Sequence, residues 1–387
     1  MLKVLTIFGT RPEAIKMAPL VLELQKTEGI QCSVAVTAQH REMLDRVLEL
    51  FRIKPEYDLN IMQAGQTLFD ITNRALAGLQ EVMHRARPDL VLVHGDTTTT
   101  FAASLAAFYR QIPVGHVEAG LRTNNKYSPY PEEMNRRLTG VLADIHFAPT
   151  ETARENLLRE GVSGEKIYVT GNTVIDALKA AVRDNYTFNI PELDGIDFAR
   201  RRVLLVTTHR RENLGRPMRD IYAALKEIVS DYPDVEIVFP MHKNPAVRRA
   251  VRDVLGDLPR VHLIEPLDYQ PFINLMQRCY LVLTDSGGMQ EEAPALGKPV
   301  LVLRDTTERP EAVRAGTVRL IGTARESVSR QTRELLDNPK AYNSMAEAVN
   351  PYGDGRASAR ITQAICYKWN ISSRPPEQFI IKNNCKN

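Results

Sequence analysis

The sequence predicts an α/β protein made of two parallel-sheet domains, and three observations carry that prediction. Short runs rich in Val, Ile and Leu recur along the whole chain, each followed by a stretch with helical spacing. Strands apolar on both faces and separated by helices belong in parallel sheets covered on both sides. At 387 residues the chain is also longer than one hydrophobic core usually organises. Finally, the alternation breaks once. The segment Asn185-Tyr186-Thr187-Phe188-Asn189-Ile190-Pro191-Glu192-Leu193-Asp194-Gly195 is polar and turn-rich, and apolar patterning resumes at Val203. This places a linker at about 186–202 and divides the chain into domains of residues 1–185 and 186–356.

Taken in order, the first domain is expected to hold strands near residues 4–8, 32–36, 90–93, 113–117, 145–147 and 167–169. The second holds strands near 203–206, 235–239, 261–264, 281–283, 300–303 and 318–321, so the strands divide six and six. Helix starts are marked by Pro12-Glu13 after Thr10, by Thr150-Glu151, and by Asn172 before Thr173-Val174-Ile175. The last 18 residues, 370–387, show no periodicity and are expected to form a loosely ordered tail.

Hydrophobic residues are 43% and charged residues 25% of the chain, and the formal net charge is +3 from 50 basic and 47 acidic side chains. That balance argues for no nucleic-acid partner and no anionic membrane surface. No apolar run reaches the roughly 18 residues a membrane helix needs. The first eight residues are too short for a signal-peptide core. Cys32, Cys279, Cys366 and Cys385 lie far apart with no C-x-x-C pair, which suits a reducing cytoplasm and argues against a zinc site. No strand is followed by G-x-G-x-x-G, no G-x-x-x-x-G-K-[ST] occurs, and there is no G-x-S-x-G elbow.

In open parallel sheets ligands bind beyond the carboxyl ends of the strands, so the residues that follow each strand matter most. The first strand leads into Gly9-Thr10-Arg11-Pro12-Glu13, with Lys16 a helical turn or so on. Later strands lead into His94-Gly95-Asp96-Thr97, Glu118-Ala119-Gly120-Leu121-Arg122 and Thr207-Thr208-His209-Arg210-Arg211. The run at 281–283 leads into Asp285-Ser286-Gly287-Gly288, a helix, and then Arg304 to Arg309 after the next strand. Glycines and a serine at a helix start offer unhindered N–H groups to an anion, and two arginines nearby suit a diphosphate. Ionisable residues thus collect at one edge of each sheet, and with the two edges facing they would line one interdomain cleft.

Each feature has a plainer reading. Gly9-Thr10 and Gly287-Gly288 also fit tight turns without a ligand, and Asp96 also fits the N-cap of the next helix. Glu118 ends an apolar run, where a carboxylate is costly unless paired or functional. Pro131 places Glu132 and Glu133 in a first helical turn, which for Glu133 is ordinary helix-dipole placement. His209 is either a surface residue or an acid or anion ligand at a strand end. His94 and His116 read as packed support, and His242 also follows a strand.

Together these segments resemble the non-hydrolysing UDP-N-acetylglucosamine 2-epimerases. The resemblance rests on Phe8-Gly9-Thr10-Arg11-Pro12-Glu13-Ala14-Ile15-Lys16, Val93-His94-Gly95-Asp96-Thr97 and His116-Val117-Glu118-Ala119-Gly120-Leu121-Arg122-Thr123. It extends to Pro131-Glu132-Glu133, His209-Arg210-Arg211-Glu212, the stretches 284–292 and 304–311, and Asn350-Pro351-Tyr352-Gly353-Asp354-Gly355. It implies two Rossmann-like domains of GT-B type, with a last helix at about 357–369 completing the first domain. It also implies a homodimer, no metal and no redox cofactor. The implied reaction interconverts UDP-N-acetylglucosamine and UDP-N-acetylmannosamine for surface polysaccharide synthesis.

The hydrogen on carbon 2 of the sugar has no adjoining carbonyl to acidify it. An enzyme must oxidise a neighbouring hydroxyl or expel the anomeric leaving group, and the missing dinucleotide fingerprint favours expulsion of UDP through 2-acetamidoglucal. The resemblance singles out Asp96, Glu118 and Glu132 as proton-handling carboxylates with His209 beside them. It implies Arg11, Lys16, Ser286, Gly287, Gly288 and Arg309 at the substrate, Glu292 on the ribose, and Leu267 with Phe272 near uracil. Gln66, Arg210 and His242 match a second, allosteric nucleotide-sugar site, whereas Glu42, Arg46 and Gly65 depart from it. Alternatives are a hydrolysing 2-epimerase releasing N-acetylmannosamine and UDP, a GT-B glycosyltransferase, and a non-catalytic nucleotide-sugar sensor.

Overall fold

The computed structural model describes residues 1–38 and 41–381. The described residues divide into two compact units, Met1–Ala180 with Tyr352–Ile380, and Ala181–Pro351 with Ile381. Each is built around its own parallel sheet.

In the first unit the strands are β1 (Leu2–Phe8), β2 (Ile30–Val36), β3 (Tyr57–Asp58), β4 (Leu90–His94), β5 (Val114–Val117), β6 (Ile145–Ala148) and β7 (Ile167–Val169). They lie in the order β3-β2-β1-β4-β5-β6-β7, every pair parallel. Leu5, Ile7, Val91 and Val93 pack against Ala75 and Leu79 of helix Leu68–Ala86 and Ala102, Ala103 and Ala106 of helix Thr98–Tyr109. Small alanines let that second helix approach the strands closely, which brings its N-terminal threonines over the end of β1. The strand order reverses between β1 and β4, the place where open parallel sheets bind ligands beyond the strand ends.

The second unit holds β8 (Arg202–Thr207), β9 (Val235–Pro240), β10 (Val261–Ile264), β11 (Leu281–Thr284), β12 (Val300–Val302) and β13 (Val318–Leu320). Their order is β10-β9-β8-β11-β12-β13, again parallel throughout, with the reversal between β8 and β11. Val206, Phe239 and Leu283 pack with Met218, Ile221 and Tyr222 of helix Arg216–Asp231.

All twelve apolar runs are strands. The first sheet has a seventh, β3, whose two residues pair with Ala35 and Val36. A strand that short, carrying Tyr57 and Asp58, has no apolar signature. Residues 181–185, placed by composition in the first domain, belong to the second unit. The Arg183 N–H donates to Asn274 Oδ1 at 2.8 Å, and the Ala181 carbonyl accepts from Asn274 Nδ2 at 3.2 Å.

Helix Ala357–Lys368 lies in the first unit against helix Arg11–Lys26. The buried Asp176 carboxylate accepts from its Ala357 and Ser358 N–H groups at 3.1 and 2.8 Å. Residues 370–380, without periodicity, are held by contacts that leave no repeat in sequence. The Phe379 N–H donates to Val169 O at 2.7 Å, and the Phe379 ring lies under the Arg360 guanidinium. The rest of the expected tail, 382–387, lies outside the described residues, and so does Cys385. Among the described residues no helix is long and apolar enough to cross a membrane.

Candidate active site

At the reversal of the first sheet, β1 runs into Gly9 and Thr10, and helix Arg11–Lys26 starts with Thr10 as its N-cap. A Cβ on Gly9 would lie 2.0 Å from Thr37 Oγ1 and 2.5 Å from Thr99 Oγ1, so only glycine lets the neighbouring threonines close over the strand end. Glu13 is buried beneath this turn. It accepts from Gly9 N (3.1 Å), Thr10 N (2.8 Å) and Thr10 Oγ1 (2.8 Å), and from Thr97 Oγ1 (2.7 Å) and Thr100 Oγ1 (3.1 Å) across the crevice. Burial raises its pKa, and the bonds from Thr97, Thr10 Oγ1, Gly9 and Thr100 work against that rise. Glu13 ties the loop after β1 to the loop after β4, a role visible in sequence only as the last residue of a Thr-x-x-Glu capping box.

After β4 the cap of helix Thr98–Tyr109 is Thr97, whose Oγ1 accepts from Thr100 N at 3.1 Å. Asp96 is therefore not spent on capping. Its carboxylate is paired with Arg136, and its carbonyl accepts from Asn135 Nδ2 at 3.0 Å. Both partners lie on helix Glu132–Leu142, whose first residue is Glu132; its Oε2 is buried and has no hydrogen-bond partner among the described residues. Glu133 is more than a helix-dipole charge. It is fully buried and accepts from Thr123 N, Asn124 N, Arg136 Nη1 and Arg137 Nε at 3.0–3.2 Å, because the loop before the helix folds back over its first turn. Arg136 thus bridges Glu133 and Asp96.

Glu118 follows β5 with a left-handed backbone (φ +61°), an uncommon conformation for a residue with a side chain. Its carboxylate is nearly buried. Oε1 accepts from Lys16 Nζ and from Asn172 Nδ2 (2.7 Å), and Oε2 lies 3.6 Å from His94 Nε2. The cost of ending an apolar strand on a carboxylate is offset by this pairing. His94 and His116 are the packed support the sequence implied. Burial lowers the His94 pKa to about 4 and that of His116 to about 3, so both rings are neutral near pH 7. His116 Nε2 bonds the Gly95 carbonyl at 2.7 Å and fixes the turn that carries Asp96. Arg11 is half-buried and makes no ion pair among the described residues.

In the second unit the organiser is Asp285, fully buried at the end of β11. It accepts from His209 Nδ1 (2.9 Å), from the backbone N–H groups of His209 and Arg210 (each 2.9 Å at Oδ2), and from Asn213 Nδ2 (3.1 Å). Burial pushes its pKa up, but the bonds from His209 and the backbone outweigh burial and hold it below the usual carboxylate value. The His209 ring stacks on His242 with centroids 5.8 Å apart, and burial together with His209 lowers the His242 pKa. In sequence Asp285 reads only as part of a turn; its signal is an acid directly after a fully apolar strand.

Ser286, Gly287 and Gly288 follow, and helix Met289–Ala295 begins. The Glu308 carboxylate lies directly over Gly287, where a Cβ would meet its Oε1 at 2.6 Å. Arg210 Nη2 and Arg304 Nη1 hold that carboxylate at 2.9 and 2.6 Å. Arg309 is paired with buried Glu291, next to Glu292. The structure therefore brings Arg210, Arg304 and Gly287 together around an anionic group, here supplied by Glu308. The Ser286 N–H donates to Thr284 Oγ1 at 2.9 Å, and Gly288 faces Glu292. Leu267 follows β10, and Phe272 sits in the first turn of helix Tyr269–Arg278; neither joins the hydrogen-bonded cluster around Asp285. Gln66 lies in the first unit, accepting from Gln63 N at 3.1 Å, whereas Arg210 and His242 lie in the second.

The model of one protein family, described as UDP-N-acetylglucosamine 2-epimerase, matches residues 22–366. The chain is 57% identical over 378 residues to the UDP-N-acetylglucosamine 2-epimerase of Bacillus subtilis, covering 98% of each chain. It is 56% identical over 377 residues to that of Escherichia coli K12, covering 94% of this chain and 98% of the relative. The crystal structure of the Neisseria meningitidis UDP-GlcNAc 2-epimerase bound to UDP-GlcNAc superposes with a TM-score of 0.85 at 54% identity, covering 94% of this chain and 99% of that one. A relation that runs almost end to end, over both sheets and every loop described above, makes this chain a member of the UDP-N-acetylglucosamine 2-epimerase family.

Proposed function

We propose that this protein interconverts UDP-N-acetylglucosamine and UDP-N-acetylmannosamine without net hydrolysis. The observation that carries the reading is the set of three carboxylates in the first unit, Asp96 and Glu118 just after β4 and β5 and Glu132 at the start of the helix whose Arg136 pairs with Asp96, each with different partners. Asp96 is paired with Arg136 and Glu118 with Lys16, while Glu132 keeps a buried oxygen without a donor among the described residues. Acid/base chemistry on two faces of a sugar needs more than one proton-handling group, and three carboxylates with different partners supply them.

A carboxylate takes the carbon 2 proton, the electron pair of that C–H bond forms the C1–C2 double bond, and the C1–O bond breaks with UDP carrying off its electrons. UDP then adds back to the 2-acetamidoglucal as a second acid delivers a proton to the opposite face of carbon 2. The leaving diphosphate needs donors and positive charge. Arg11, His209, Arg309, the Ser286 hydroxyl and the N–H groups of Gly287 and Gly288 supply them, with Glu292 on the ribose and Leu267 and Phe272 beside uracil. The Neisseria relative, bound to UDP-GlcNAc, supports that substrate class. The protein works, on this proposal, as a cytoplasmic homodimer.

Incubation with UDP-N-acetylglucosamine in deuterated water tests the mechanism. One deuterium at carbon 2 of recovered substrate and product is expected, and its absence after turnover excludes elimination. Stoichiometric release of UDP with free N-acetylmannosamine would select the hydrolysing alternative. Asp96→Asn should still bind UDP while turnover falls by about 10²-fold or more; unchanged turnover removes Asp96 from the chemistry.

A further inference from the structure

The motif Asn350-Pro351-Tyr352-Gly353-Asp354-Gly355 has no part in the chemistry above, yet from Tyr352 onward it belongs to the first unit. Tyr352 is buried, and its carbonyl accepts from the Asn172 N–H at 2.7 Å. Gly171 (φ +83°) and Gly353 (φ +140°) meet back to back. A Cβ on Gly171 would lie 3.3 Å from Gly353 Cα, and one on Gly353 would lie 3.4 Å from Asn172 N. The turn is clamped further on: Arg360 holds both oxygens of Asp354 at 2.7 Å and donates to the Thr170 carbonyl at 3.2 Å. Two backbones pressed together through glycines leave Asn172 little freedom. Its Oδ1 accepts from Val174 N at 3.1 Å, which points Nδ2 at Glu118 Oε1, 2.7 Å away.

We propose that Asn172 is a positioning residue for proton transfer by Glu118, and that the Tyr352–Gly353 turn positions Asn172. The inference rests on the reading of Glu118 as an acid/base group. Among the described residues, the charged or titratable groups that face the Glu118 carboxylate include Lys16, from helix Arg11–Lys26, and His94, at the end of β4. Lys16 is a flexible point charge that fixes no direction. The Asn172 amide is directional, and together with the left-handed backbone of Glu118 it decides where the carboxylate aims. An N–H donated to a carboxylate favours its ionised form, so losing Asn172 makes Glu118 harder to deprotonate.

The test uses the full chain with Asn172→Ser, which keeps an oxygen for the Val174 N–H but cannot reach Glu118, and with Asn172→Asp, which keeps shape but offers an acceptor. Both should fold and bind UDP within about twofold of the unaltered protein, while kcat falls about 10- to 100-fold, as loss of a hydrogen bond to a charged group predicts. The acidic limb of the kcat/KM profile should move to higher pH, further for Asp than for Ser. Gly353→Ala should act in the same direction, and the Asn172→Ser/Gly353→Ala double variant should be no worse than the poorer single. A kcat within twofold with an unmoved acidic limb overturns the proposal, and so does a loss of kcat that only tracks loss of folded protein. Glu118→Gln separates the two levels. If it retains turnover, the acid/base reading itself fails; if it is inactive while Asn172→Ser is unimpaired, only the positioning role fails.

Discussion

At the scale of single residues, the chain places charge where burial makes it costly and then surrounds it with donors. Glu13, Glu118, Glu133 and Asp285 are each buried or nearly so, and each is met by backbone N–H groups, hydroxyls, amides or cations. Breaking such a set leaves an unpaired polar group, whose cost exceeds the value of any one bond. Asp285→Asn keeps the shape but weakens the hold on His209 and on the Arg210 backbone. We expect UDP affinity to fall about tenfold, the loss that follows from one bond to a charged group, read by calorimetric titration. Gly9→Ala would drive a methyl group into Thr37 and Thr99. Overpacking of this kind costs about 1–3 kcal/mol, to be read from the shift in urea midpoint at unchanged slope.

At the scale of elements, the loops are fixed by the strands and helices they join. Helix Thr98–Tyr109 is capped by Thr97, which frees Asp96. Helix Glu132–Leu142 returns Asn135 and Arg136 to the same loop. The cap of helix Ala357–Lys368 comes from a distant element, through Asp176. Asp176→Ala should cost about 1–2 kcal/mol of stability, as removal of a helix cap does. Helix Ala357–Lys368 should then fray first, so that amide exchange accelerates there before it does in the strands.

At the scale of the whole molecule, buried neutral histidines contribute to the response to acid, beside carboxylates such as Asp285 and Glu308 whose pKa is held low. His94, His116 and His146 have folded pKa values of about 4, 3 and 4, each lowered by burial from 6.5. A histidine whose folded pKa lies below its unfolded value leaves stability intact above pH 6.5. As the pH falls below 6.5 the unfolded chain binds protons that the folded one refuses, and stability is lost progressively until the folded values are reached. By pH 5 each ring contributes a loss of about 2 kcal/mol. The melting temperature should therefore be nearly flat from pH 8 to 7 and fall steeply between 6 and 4. Replacing His146 by Gln should flatten that slope, and an unchanged slope would remove His146 from the account.

Burial on both faces of a parallel sheet writes itself along the chain as short apolar runs with polar residues following, so the strands and the residues at their ends are legible without a structure. Asp96, Glu118, His209 and the Ser286-Gly287-Gly288 turn are marked in this way as places where chemistry could sit. The two residues of β3 carry no apolar signature, and the contacts that hold residues 370–380 leave no repeat, so neither is legible. Partners are not legible either. Only the folded chain assigns Arg136 to Asp96 and Glu133, Lys16 and Asn172 to Glu118, and Asp285 to His209. Apart from the pair Arg136–Glu133 within one helix turn, these bonds join residues 40 to 102 positions apart, and they depend on which strands are neighbours. Spacing along the chain records helices and strands; which side chains meet at a crevice is fixed only when the strand order is.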